Sequence, residues 1–155
     1  MTYSVETITD SSQEEMLDFL RDHENYTLFL LGNFENYGAT LTEAPLSGNF
    51  KLIRFVNKVV GVFCLTRKGN LLIETPLRES IFDTVLRACQ QEPVPLKGVV
   101  GNWEFCGRFW EYLKTKKVIK KEVFASKEIL YTVDLKKQNF SPQPNVNGVN
   151  LRFFI

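Results

Sequence analysis

The stretch Asn70–Leu86, NLLIETPLRESIFDTVL, reads as a short strand, a tight turn and a helix. Such a turn is a common phosphate site, because free backbone N–H groups at a helix start attract anions. Phosphate-cradling loops usually carry glycines, which let the backbone approach the ligand. This one offers Thr75, Pro76, Leu77 and Arg78, no glycine, and a proline that removes one backbone donor. Arg78 could contact a phosphate through its side chain, or could simply be solvated. Glu74 ends the strand just before the turn. A buried carboxylate there could serve as a general base, whereas an exposed one would be a solvated residue or an ion-pair partner.

Other reactive residue types are thinly spread. His23, the one histidine, is flanked by Asp22 and Glu24 near an expected helix end, with no Ser or Cys nucleophile motif beside it. It reads as a charged helix-terminal residue. Cys64, Cys89 and Cys106 are far apart and form no C-x-x-C pair, which argues against a disulfide framework and a zinc site and fits core residues in a reducing cytoplasm. Trp103, Phe105, Phe109, Trp110 and Tyr112 crowd one segment, suited to core packing or an interface more than to stacking on a flat ligand. Lys114, Lys116, Lys117, Lys120 and Lys121 form one basic cluster, read as a solvated surface.

Composition narrows the function classes. The 155 residues suit one domain with a sizeable core, and 44% hydrophobic and 24% charged residues are ordinary for a globular protein. A net charge of +1 gives no sign of a nucleic-acid or anionic-membrane partner. No apolar run approaches the roughly 18 residues of a membrane span, and MTYSVETITDSSQEE has no signal-peptide character. The expected location is the cytoplasm.

The elements that would position these residues follow from periodicity. YSVETIT alternates as a half-buried strand, and Ser12–Glu15 fits a capping box before a helix with Met16, Leu17, Phe19 and Leu20 on its apolar face. A second helix is expected from about Asn25 to Tyr37, stopped by Gly38. KLIRFV and VVGVFCLT read as a hairpin turning at Asn57, and RKGN leads into LLIET. Glu79–Gln91 is helical until EPVP ends it, LKGVVG is a short buried strand, and Asn102 caps WEFCGRFWEYLK. VIKKEVFAS and EILYTVDL read as a hairpin turning near Lys127. The order β-α-α-β-β-β-α-β-α-β-β predicts an α/β (α+β) protein with a mixed, mostly antiparallel sheet flanked by helices.

That order over Tyr3–Leu135, with LFLLGNFENYG, GVVGNWEFCGRFWEYL and EILYTVDL, resembles the GNAT superfamily of acyltransferases. More narrowly, it is similar to the N-terminal lobe of predicted acetyltransferases that carry two GNAT-like lobes in tandem. The resemblance implies a GNAT-like domain over residues 1–135. It implies for residues 136–155 a linker, FSPQPNVNGV, and a terminal strand, NLRFFI, which would open a missing second lobe or close this sheet, with exchange in a dimer as a further reading. It implies acetyl-CoA or CoA as cofactor, and the cysteine spacing already gives no metal site. The pyrophosphate would meet a loop at Thr75–Ser80, making Thr75, Arg78, Glu79 and Ser80 the cofactor-binding candidates and Glu74 the catalytic one. TPLRES departs from the family's Q/R-x-x-G-x-G/A pattern at both glycines. The positions for a thiolate-protonating tyrosine hold Phe109 and Trp110, and Tyr112 lies roughly 200° around the helix from Trp110.

The expectation is a GNAT acetyltransferase-related domain acting as a non-catalytic lobe that supports substrate positioning or assembly, with a second lobe or a homodimer partner. The alternatives are an active CoA-dependent N-acyltransferase with a divergent pyrophosphate loop, and a homodimeric interaction module. Whether this lobe is itself an enzyme stays open at this point.

Overall fold

Consecutive residues of the central strands go to opposite cores. In the computed structural model, which describes residues 2–24, 27–119, 121–122, 124–132 and 145–154 (the last two segments as backbone), seven strands form one sheet with helices on both faces. The expected helix start at Asn25, Lys120 of the basic cluster, residues 133–135 of EILYTVDL, the spacer through residue 144 and the terminal Ile155 lie outside the described residues.

The elements run β1 (Tyr3–Thr7), α1 (Gln13–Asp22), α2 (Leu28–Tyr37), β2 (Gly48–Phe55), β3 (Lys58–Thr66), β4 (Asn70–Glu74), a 3-10 turn (Glu79–Ile81) running into α3 (Phe82–Gln90), β5 (Gly98–Asn102), α4 (Trp103–Thr115), β6 (Phe124–Thr132) and β7 (Asn145–Phe154). The strand order is β1-β2-β3-β4-β5-β7-β6. Every described pairing is antiparallel except β4–β5, whose connection through a helix returns the chain in the same direction. The mixed, mostly antiparallel sheet expected from the sequence is the one found.

Period-two alternation explains the layers. Ile53, Phe63, Leu65, Leu71, Ile73 and Val99 face one core with Phe82, Val85, Leu86 and Cys89 of α3 and Phe105, Cys106, Phe109, Trp110 and Leu113 of α4. Their neighbours Leu52, Val62, Cys64, Leu72 and Val100 face the other, with Met16 and Leu20 of α1 and Leu30 of α2. Buried on both sides, these strands are almost uninterrupted apolar runs. Each large side chain removed from water contributes about 1.5–3 kcal/mol before entropy is counted.

Polar clasps hold the layers in register. Arg54 on β2 donates to Glu6 on β1 at 2.8 Å and to Glu15 on α1 at 2.6 Å. Lys51 meets Glu92, just past α3, at 2.9 Å, and Asn49 Nδ2 donates to the same carboxylate at 2.9 Å. Trp110 Nε1 donates to Glu122 Oε2 at 2.6 Å, fastening α4 to the chain that leads into β6.

The last two strands differ from expectation. The hairpin turning near Lys127 does not form: Phe124–Thr132 is one strand, and Lys127 sits opposite Leu151. Ser126-Lys127-Glu128 has no glycine, proline or asparagine to turn on, so the strand continues. Its partner is β7, drawn from the segment read as linker and terminal strand, which lies between β5 and β6.

The β2–β3 turn holds a second difference. Asn57 has φ +64° as its sequence suggests, but Val56 is left-handed too, at φ +50°. Two positive φ values make a type I′ turn, for which a β-branched residue is poorly suited. Val56 is 60% exposed, so little packing offsets that cost. Val56→Asn is expected to raise stability by about 1 kcal/mol, read as a higher urea midpoint with an unchanged m-value.

Candidate functional site

β4 and β5 are parallel neighbours, so their C-terminal ends, and the starts of α3 and α4, lie at one end of the sheet. Ligands of open α/β sheets commonly bind outside such ends. The pairing runs from Asn70–Gly98 to Ile73–Gly101 and stops there. Gly101 permits the close approach: a β-carbon on it would sit 2.4 Å from the Ile73 carbonyl oxygen and 3.1 Å from Cys106 Sγ. Beyond this point α4 is started by Asn102, whose side chain accepts from the Glu104 N–H at 3.0 Å. A cap of this kind is worth about 1 kcal/mol.

Glu74 is the last residue of β4, paired with Val62 on β3. It is 6% exposed, and among the described residues its Oε2 has no hydrogen-bond partner. Burial raises its carboxyl from 4.5 to about 7, since the charged form loses hydration without a replacement. Of the two readings the sequence leaves open, a solvated or ion-paired carboxylate and a buried one, the structure shows the buried one.

The cofactor-binding candidates are placed less favourably. Thr75 is buried, its hydroxyl donating to the Val60 carbonyl at 3.0 Å. It packs so closely on β3 that a β-carbon on Gly61 would come within 2.8 Å of it. The connection leaving β4 is thus pinned down instead of forming an open cradle. Arg78 is exposed and, among the described residues, has no side-chain bond. Glu79 forms a 3.0 Å ion pair with Arg108 of α4, and Ser80 Oγ lies 3.4 Å from the Tyr3 hydroxyl. The lock on Gly61 went unread in the sequence, although a glycine inside a strand is a signal of close approach. The Glu79–Arg108 pair had no sequence signal.

Between the start of α3 and the outer face of α4 runs an open groove of about 870 Å³, lined by Leu77, Glu79, Phe82, Trp103, Arg108 and Tyr112 among others. Phe82 meets Phe105, Phe109 and Tyr112 with ring centroids 5.4–5.5 Å apart, which fills the space between the helices with aromatic carbon. Glu104 and Glu111 also line the groove, so three carboxylates face one guanidinium there. The first turn of α3 carries Asp83, which already answers the positive end of that helix. A pyrophosphate at this end would meet Glu79 and Asp83 without a glycine cradle. These residues do not fit it.

The remaining candidates resolve into structure. Phe109 and Trp110 are fully buried in the core. Tyr112 points its hydroxyl at Asp83 Oδ1, 3.2 Å away, and burial with the Asp83 charge raises its pKa. All three cysteines are buried and free; burial pushes Cys64 and Cys89 up to about 12 and Cys106 higher still, so none is a ready thiolate. His23 bonds the Phe19 carbonyl at 2.8 Å and stacks on the Phe19 ring at the end of α1. Of the basic cluster, Lys114, Lys116, Lys117 and Lys121 are exposed. Among the described residues no group of three or more His, Cys, Asp or Glu side chains could hold a metal ion, and no helix is long and apolar enough to cross a membrane.

No protein-family model matches the chain, and no curated protein matches it in sequence. In structure it is similar to an acetyltransferase of the GNAT family from Staphylococcus aureus, at 13% identity and a TM-score of 0.38, with 97% of this chain and 98% of that one covered.

The pinning of Thr75 has a measurable consequence. Thr75→Val keeps the branched shape but leaves the Val60 carbonyl unpaired, and should cost about 1–2 kcal/mol. Gly61→Ala forces a β-carbon against Thr75 and should cost about 2–3 kcal/mol. Urea denaturation of both variants checks the order.

Proposed function

We propose that this chain is a GNAT acetyltransferase-related domain that does not hold acyl-CoA itself and supports substrate positioning or the assembly of a partner lobe or subunit. The sequence resemblance, the order of the elements and the parallel β4–β5 pair support the GNAT-related part of this reading. The non-catalytic part is carried by one observation: the Glu79–Arg108 ion pair links the start of α3 to the second turn of α4, beside the place where the resemblance puts the pyrophosphate. A phosphate there would have to displace Glu79 from Arg108 and overcome repulsion from Asp83. Thr75, another of the four residues of the expected cradle, has its hydroxyl committed to β3.

The rival reading is a CoA-dependent N-acyltransferase with a divergent loop. Glu74 favours it, because a buried, unpartnered carboxyl raised to about 7 is what a general base for an amine requires. Against it stands the lack of a proton donor for the leaving thiolate at Phe109 and Trp110, both enclosed in the core.

Calorimetric titration with acetyl-CoA and with CoA distinguishes the two. The expected outcome is no saturable heat at ligand concentrations up to about 1 mM, a limit that corresponds to about 4 kcal/mol of binding. Micromolar binding that weakens at least tenfold on Arg78→Ala would overturn the non-catalytic reading.

A further inference from the structure

The connection from β4 to α3 begins at a buried carboxyl group whose Oε2 has no hydrogen-bond partner among the described residues. Glu74 lies one residue past the last β4–β5 pair, Ile73–Gly101, so one side of the chain is unsupported where its side chain is buried. Its sheet neighbours are apolar: Val62 opposite on β3, and Leu72 two residues before it on the same strand. From α4 the titratable group that senses it is the Cys106 thiol, which is neutral. No cation bears on Glu74 among the described side chains, and burial is the cause of its shift. An ionised carboxylate enclosed in this way is costly, and local opening to water relieves the cost.

We propose that Glu74 is a proton-operated latch: protonated, it keeps the end of β4 and the Thr75–Arg78 connection closed, and on losing its proton it favours local opening of that segment. The Thr75 hydroxyl bond to Val60 is the contact that must release. Arg78 and the start of α3 would move with it, which makes exposure of this end of the sheet dependent on pH. The latch is independent of whether CoA binds here.

The direction follows from linkage. Closed, the carboxyl keeps its proton up to about 7; opened to water, it returns to its ordinary 4.5. Opening is therefore insensitive to pH below about 4.5, rises up to tenfold per pH unit between the two values, and levels off above about 7. The closed form is most secure on the acidic side.

Amide hydrogen exchange on the full chain from pH 4 to 8.5, corrected for intrinsic exchange rates, reads this out. The opening of residues 73–82 should rise by about two orders of magnitude and then level off. Leu52 and Phe63, in the middle of β2 and β3, should show no such rise. Glu74→Gln and Glu74→Leu should both flatten the profile. A flat wild-type profile, or an unchanged slope in Glu74→Gln, overturns the proposal. Carbon-detected NMR titration of the wild-type Glu74 carboxyl decides the matter even if both variants misfold: a midpoint near 7 supports the latch, and one below about 5 overturns it.

Discussion

The parallel pairing of β4 with β5 is the constraint on which the rest of the architecture depends. Two strands running the same way need a long connection, and that connection supplies α3. Both strands then end at the same place, and α3 and α4 start there side by side. Gly101 fixes how near the strands come, since any larger residue would meet the Ile73 carbonyl. The groove between the helices, the exposed Arg78 and the buried Glu74 are all consequences of that one pairing.

At this end of the sheet most polar groups are paired within the protein, while Arg78 has no side-chain bond among the described residues. The polar chemistry expected of an anion site is consumed internally: Thr75 by β3, Glu79 by Arg108, and the positive end of α3 by Asp83. Exposed ion pairs contribute little to stability, so the effect of the Glu79–Arg108 pair is local occupancy more than reinforcement. Glu74 runs the other way. It costs stability whenever it is ionised in place, and the fold tolerates it among apolar neighbours. Groups that compete with packing in this manner commonly concentrate at functional positions.

Much of this was legible in the sequence because local patterns and tertiary needs agree. Asn102, Gly38 and the alternating strands of the β2–β3 hairpin announce their elements through chemistry that works at short range. The double-sided burial of β3 and β4 shows in their continuous apolar runs. What was not legible depends on residues distant in sequence. Nothing near Lys127 tells that Phe124–Thr132 pairs with residues some twenty positions later. A PQPN-containing stretch with linker composition hides the first residues of β7, whose later part, NLRFFI, reads as a strand. Val56 is left-handed because the hairpin's twist demands a type I′ turn, and the flanking strands impose it over the residue's own preference. The Glu79–Arg108 pair likewise arises only once the start of α3 lies beside α4.

The placement of β7 has a consequence for how the chain is made. Ribosomal synthesis delivers β6 before β7, yet β6 reaches the rest of the sheet only through β7. Until β7 has emerged, β5 shows an open edge and β6 has no neighbour to pair with, two unpaired strand edges on a nascent chain. Such edges invite wrong partners. The first five strands and the helices packed on them can assemble beforehand, and β7, paired antiparallel with β6, then closes the waiting edge of β5 and carries β6 into the sheet with it.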